Sequence, residues 1–362
     1  MVALGATLPN RGLAMDAEPH HPPAQTDLVH LNLNENAYGP SPKVLAAITH
    51  ELTRINRYGD ARVAEQLTEQ IAAFEKLPVE QVLLGEILNV LGPHLGNQGG
   101  PGGEFIYSSP GYLALVDAAQ QAGGVEVPVP LNAQYENDLP GLAAAVTPRT
   151  RALYLINPHN PTGTASDNTA FKRFLNETSQ KAPVIVDEAY LEYTSEFQAL
   201  SAVSLVRDGA NVLVFRTFDK IHGLAGLPLG YTLAPREMAT ALRKQGVRDA
   251  EALGRLNMLA ASIALADVAH VEGVRSIVAT ERAKWFAILD ELRLPHTKSV
   301  TNFIFFDAGR PQAGVAERMR ESGVLIARAF APYSNWVRIT IGLPKENQLA
   351  QNCLRTIMKT NP

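Results

Sequence analysis

The chain has 362 residues, 46% of them hydrophobic and 19% charged, with a formal net charge of -4. That length and apolar content support about two globular domains, and the near-balanced charge, with no run of lysine and arginine, excludes the basic footprint of a nucleic-acid partner. A single cysteine, Cys353, excludes an internal disulfide, and nine scattered histidines with no HExxH or CxxC leave a metal centre without ligands.

The opening MVALGATLPNRGLAM lacks a basic start followed by a long apolar segment, and no apolar run reaches the roughly 20 residues of a membrane span. A cytoplasmic protein without a membrane partner is expected. The first 28 or so residues, with HHPPAQ, are polar and proline-rich and predict a loose arm. From Asp60, DARVAEQLTEQIAAFEKL sets Val63, Leu67, Ile71 and Phe74 on one helical face, with Asp60 as N-cap. Three short apolar runs follow: ALYLI (152–156), PVIV (183–186) and NVLVF (211–215). They predict buried parallel strands, and their spacing of about thirty residues suits strand, helix and return. Val274, Ile277, Trp285, Ile288 and Leu292 then mark a long amphipathic helix before Pro295.

In open parallel sheets ligands collect beyond the carboxyl ends of the strands. There the chain places NPHNPTG (157–163), then Asp187 with Tyr190, then Lys220. If the strands are neighbours, an amide, a carboxylate with a phenol, and an amine converge. That set suits pyridoxal phosphate: the amine forms an imine with the cofactor aldehyde, the carboxylate keeps the pyridine nitrogen protonated, and the phenol and amide bind the ring hydroxyl.

In its motifs, the sequence resembles the fold type I pyridoxal-phosphate aminotransferases, most closely their histidinol-phosphate aminotransferase branch. The motifs run in order from LNLNENAYGPSP (31–42) through NRYGD, SSPGY, NPHNPTG, VIVDEAYLEY and TFDKIHGLAGL to VRITIGLPKEN (337–347). The resemblance implies an α/β three-layer sandwich with a mostly parallel central sheet and a smaller α+β C-terminal domain. Residues 1–44 would form an arm and a small-domain segment, 45–258 the large cofactor domain and 259–362 the small domain.

By the same resemblance Lys220 is the imine-forming lysine, Asp187 the pyridinium partner, and Asn160 and Tyr190 the ligands of the ring oxygen. Tyr112 stacks on the ring; Thr217 and the amides after Gly85 donate to the phosphate; Tyr58 reaches the phosphate of a neighbouring subunit, which implies a homodimer with shared sites. Arg338 grips the substrate carboxylate, where a planar guanidinium suits better than an ammonium. Asn36 and Tyr38 line the substrate mouth. Arg328, in GVLIAR, is a further substrate-binding candidate, although it stands one place later than the branch's arginine, which in a strand would turn it to the other face. The implied reaction moves an amino group between a histidinol-phosphate-like or aromatic donor and a 2-oxo acid. A lyase, decarboxylase or racemase on the same fold uses the same residues; a nicotinamide-binding protein is excluded by the lack of GxGxxG at a strand-to-helix turn.

The pattern breaks where the family holds the cofactor phosphate. In VLLGEILNVL Gly85 runs directly into Glu86, the position of the usual serine holds Asp219, and that of the usual arginine holds Pro228. Three outcomes follow: another cation (Arg216, His222 or Arg57) takes over, with GNQGGPGG (96–103) reshaping the pocket; the cofactor binds weakly; or the chain is a pseudoenzyme. Retention of Lys220, Asp187, Tyr190, Asn160 and Arg338 favours catalysis.

Overall fold

The structure, a computed structural model, describes residues 28–247 and 252–359. The predicted N-terminal arm, apart from Leu28, lies outside them. The strands are β1 (Val29–Leu31), β2 (Val82–Leu84), β3 (Glu104–Ser109), β4 (Val125–Pro130), β5 (Thr150–Ile156), β6 (Val184–Asp187), β7 (Val212–Thr217), β8 (Gly230–Leu233), β9 (Phe303–Asp307), β10 (Val324–Ile326) and β11 (Trp336–Thr340).

Seven of them form one sheet in the order β2-β8-β7-β6-β5-β3-β4. The neighbours from β4 to β7 are parallel, and β8 runs antiparallel to both β7 and β2. The near-continuous apolar runs of the sequence follow from burial on both faces. Leu153, Leu155, Val184, Val186, Val212 and Val214 point into one core, while Ala152, Tyr154, Ile156, Ile185, Leu213 and Phe215 alternate into another. This makes the three layers: helices, sheet, helices.

The helix Ala61–Glu75 begins as expected, with Asp60 accepting a hydrogen bond from Arg62 N, and its Leu67 and Ile71 are buried in the first core. Helix Arg255–Ala266 packs Met258, Ala261 and Ala264 into that same core. A separate core surrounds Trp285, Phe303, Ile304, Val337 and Ile339, and draws on the long helix Val268–Glu291. The change from one core to the other therefore falls at Asp267, beyond the expected boundary at 258. β1 pairs in parallel with β10, and β9 pairs antiparallel with β11. The N-terminal strand is thus part of the C-terminal unit. Among the described residues no helix is long and apolar enough to cross a membrane.

Candidate active site

Because β5, β6 and β7 lie side by side in parallel, their carboxyl ends meet, with Ile156 opposite Asp187 and Asp187 opposite Phe215. Asp187, the last residue of β6, is only 4% exposed. Its Oδ2 accepts from the Tyr154 hydroxyl at 2.8 Å and its Oδ1 from Ala189 N at 3.0 Å. Burial pushes the Asp187 carboxyl above its ordinary value, against the pull of those hydrogen bonds and of the Lys220 charge. Tyr190 is buried edge-on against Phe303, with centroids 5.1 Å apart, and its hydroxyl accepts from Asn34 Nδ2 at 3.1 Å, which leaves the phenolic proton to donate.

Arg338 comes from the middle of β11. Its Nη1 donates to Asn160 Oδ1 at 2.5 Å and its Nη2 to Asn32 O at 2.9 Å, so toward a ligand Asn160 offers its amide NH2. The guanidinium lies over the rings of Phe303 and Phe330, at 5.4 and 4.9 Å, and its buried Nε has no hydrogen-bond partner among the described residues. Burial pulls this group down to about 10, still protonated at neutral pH.

A cavity of about 480 Å³ gathers Lys220, Asp187, Tyr190, Asn160, Thr217, Tyr112, Arg328 and Arg338. Arg328 is exposed and borders the cavity, as the substrate candidacy expects and the alternation argument does not, because β10 ends at Ile326 and the strand period no longer applies two residues on. Gly85, Asn36, Tyr38 and Tyr58 do not line this cavity. Gly85 sits beneath it, its N–H donating to Gly230 O at 2.9 Å. The Asn36 amide is spent locally, donating to Ile221 O at 2.8 Å and accepting from Tyr38 N at 3.0 Å. Tyr38 packs on the C-terminal core, where burial, then Glu281 and Glu346, push its phenol up to about 12. Tyr58 is 81% exposed and stands outside the cavity.

Three contributors receive no role from the sequence. Tyr154 is the one polar tip within the run ALYLI, Asn34 is the middle of an asparagine-rich segment, and Glu86 follows Gly85 directly. Glu86 lines the cavity, and burial, then Asp219 and Asp187, push its carboxyl up to about 7 while Lys220 pulls the other way. Between pH ~4.5 and ~7 the folded state therefore keeps a proton that the unfolded chain has released, so stability from this group is present below that window and lost across it. Glu86→Gln should gain more over the parent at pH 8 than at pH 5, by a modest amount because solvent reaches this exposed side chain, as measured by denaturant unfolding at both values. An equal effect at the two pH values would contradict a carboxyl whose charge is disfavoured in the folded state.

The model of the family "Aminotransferase class I and II" matches residues 26–353. The chain is 34% identical over 338 residues to a histidinol-phosphate aminotransferase of Moorella thermoacetica, covering 92% of this chain and 86% of that one. It is 35% identical over 337 residues to an aromatic amino acid aminotransferase of Thermobifida fusca, covering 91% and 90%. Among solved structures, the histidinol-phosphate aminotransferase of Sinorhizobium meliloti in complex with pyridoxal-5'-phosphate superposes with a TM-score of 0.84 at 28% identity, over 92% of this chain and 91% of that one. With a family match across nearly the whole length, relatives above 30% identity and the lysine, aspartate, tyrosine and asparagine gathered at the strand ends, the chain belongs to the class I and II aminotransferases.

Proposed function

We propose that the protein transfers an amino group from an amino acid or a phosphorylated amino alcohol to a 2-oxo acid, with a B6 aldehyde cofactor held at Lys220. The observation that carries this is the shared cavity in which a buried carboxylate at the end of β6 and the amine following β7 stand together. When bound, the pyridine ring supplies an electron sink for the pair released at the substrate α-carbon. With the cofactor bound, Asp187 would hold the proton on the ring nitrogen. Tyr190 O–H and the Asn160 amide would donate to the ring oxygen, and Tyr112, half-exposed on the cavity wall, would cover the ring. Lys220 Nζ would take the α-proton and return it. The ring end of the site thus fits the cofactor. Its tail end, with Asp219 and Glu86, does not match a phosphate dianion, and no residue is assigned to that group.

Arg338 and Arg328 suit an anionic substrate: two guanidiniums in one cavity, of which Arg338 is rigidly held and has an unused Nε. Arg338→Lys should raise KM for a carboxylate substrate about 10–100-fold, with a smaller change in kcat, since a fork becomes a point charge. Steady-state kinetics with one oxo acid and several amino donors would show it; an unchanged KM removes Arg338 from substrate binding. The exposed Tyr58, beside Arg57, fits a homodimer in which each copy completes the other's site. The reading as a whole is tested by incubating the protein with an amino donor, 2-oxoglutarate and either pyridoxal phosphate or pyridoxal. One glutamate per oxo product supports amino transfer, whereas product without consumption of the oxo acid points to lyase or decarboxylase chemistry.

A further inference from the structure

The charges around the cavity fall into two groups. Arg328 and Arg338 act on one another, whereas Glu86 is acted on by Asp219, Asp187 and Lys220. The second group occupies the end that follows β2 and β7 and precedes β8. There Gly85, at φ +118, leads straight into Glu86, and the Gly85 and Ile87 amides already donate to Gly230 O and Gly85 O. Gly230 is what admits the carboxylate: a Cβ there would stand 2.8 Å from Glu86 Oε1. The Asp219 carboxyl is pushed up by burial and pulled down by the Lys220 charge and by hydrogen bonds from Thr217 and Leu229 N–H, but its Oδ1 is buried with no hydrogen-bond partner among the described residues. Thr217 Oγ1 accepts from Asp219 N at 3.1 Å.

Among the described residues, none of the candidate cations Arg216, His222 and Arg57 reaches this end. Phe215 and Thr217 line the cavity, so Arg216 between them points through to the other face, where it is 1% exposed against Glu75 and Glu188. His222 Nε2 faces Glu192 at 3.5 Å. Arg57 is exposed in the loop before Asp60, and Pro228, also exposed, offers no donor.

We propose that this site selects the phosphate-free aldehyde, pyridoxal, over pyridoxal phosphate, with Asp219 and Glu86 accepting a hydrogen bond from the neutral hydroxymethyl tail and repelling a dianion. The selection rests on the Lys220 reading above. Condensation of the Lys220 amine with the aldehyde forms one carbon-nitrogen double bond and releases one water for either compound, so the difference lies wholly in the tail. A hydroxymethyl group brings the donor that Asp219 Oδ1 lacks; a phosphate brings only acceptors and negative charge to two carboxylates.

The test is a titration of the full-length protein at pH 8 with each aldehyde separately. It is followed by absorbance and thermal shift, then by borohydride reduction and mass mapping of the labelled peptide. Pyridoxal should label Lys220 with an apparent affinity at least 100-fold above that of pyridoxal phosphate. Asp219→Ser and Glu86→Gln, made separately, should each improve binding of pyridoxal phosphate at least tenfold and weaken or leave unchanged that of pyridoxal. Equal or tighter binding of pyridoxal phosphate by the parent overturns the proposal; if Arg57→Ala then abolishes that binding, a second copy supplies the missing cation. Labelling of Lys220 by neither aldehyde overturns the lysine assignment itself and the selectivity with it.

Discussion

Turnover of the Asp187→Asn variant should fall about a thousandfold while its thermal midpoint stays within a few degrees of the parent. A carboxylate about 4 Å from a ring proton, at an effective dielectric near 20, contributes on the order of 4 kcal/mol, and each 1.4 kcal/mol is roughly a factor of ten in rate. Asparagine keeps the shape and the acceptor for Ala189 N, and the Tyr154 hydroxyl, which rotates, accepts from the new amide instead of donating. The substitution therefore removes the charge and leaves the packing. Asp187→Ala removes both, leaving Ala189 N–H and Tyr154 O–H unpaired in a buried site at a cost of about 1–3 kcal/mol each. Tyr154→Phe, which withdraws one hydrogen bond and keeps the carboxylate, should lower turnover by only about tenfold. Single-turnover amino transfer at saturating donor, with a thermal melt of each variant, separates these effects. Asparagine activity within tenfold of the parent would mean that the ring proton is held by something else.

What could be seen in the sequence follows from how local each signal is. The strands β5, β6 and β7 were legible because a sheet buried on both faces demands unbroken apolar runs, and Asp187 and Lys220 because they interrupt the apolar pattern at the ends that meet. Tyr154 was hidden for the same reason that β5 was visible: within an apolar run its hydroxyl counts as packing until Asp187 is known to lie on the next strand. Asn36 and Tyr38 share a motif with Asn34, yet only Asn34 lines the cavity, since the turn that follows uses Asn36 to hold Ile221 O and carries Tyr38 away. Arg328 was misdirected by a strand period applied past the strand's last residue. The pairing of β1 with β10 joins residues almost three hundred positions apart, Val29 opposite Val324, and three-residue strands carry too little pattern to announce a partner. Family resemblance supplied order and roles; the departure at Asp219 was visible at once, whereas Glu86 gained meaning only when its carboxylate was found over Gly230.

Arg216→Met should destabilise the fold by about 3–5 kcal/mol at pH 8, although the residue lies outside the cavity. The guanidinium is enclosed beneath the sheet. Its Nε donates to Glu188 Oε2 at 3.1 Å and its Nη2 to Ser201 Oγ at 2.9 Å, its Nη1 lies 3.4 Å from Glu75 Oε1, and the guanidinium sits 5.5 Å from the centre of the Phe197 ring. Glu75 also accepts from the Tyr231 hydroxyl at 2.7 Å, and Glu188 from Ala202 N at 2.7 Å, so neither carboxylate can swing out to water when the cation goes. Methionine fills the space and leaves two buried anions. Burial already pushes the Glu188 carboxyl up, and loss of the adjacent cation pushes it further, so the folded variant holds a proton that the unfolded chain releases. The sign follows: the deficit is smallest at acid pH and grows as pH rises. Adding Glu188→Gln to Arg216→Met should return part of the loss and flatten its pH dependence, because a neutral amide still accepts from Ala202 N without a charge to compensate. Chemical denaturation of the two variants at pH 5 and pH 8 measures the coupling. A single variant within 1 kcal/mol of the parent at pH 8 would mean that this buried cluster stands on hydrogen bonds and not on charge.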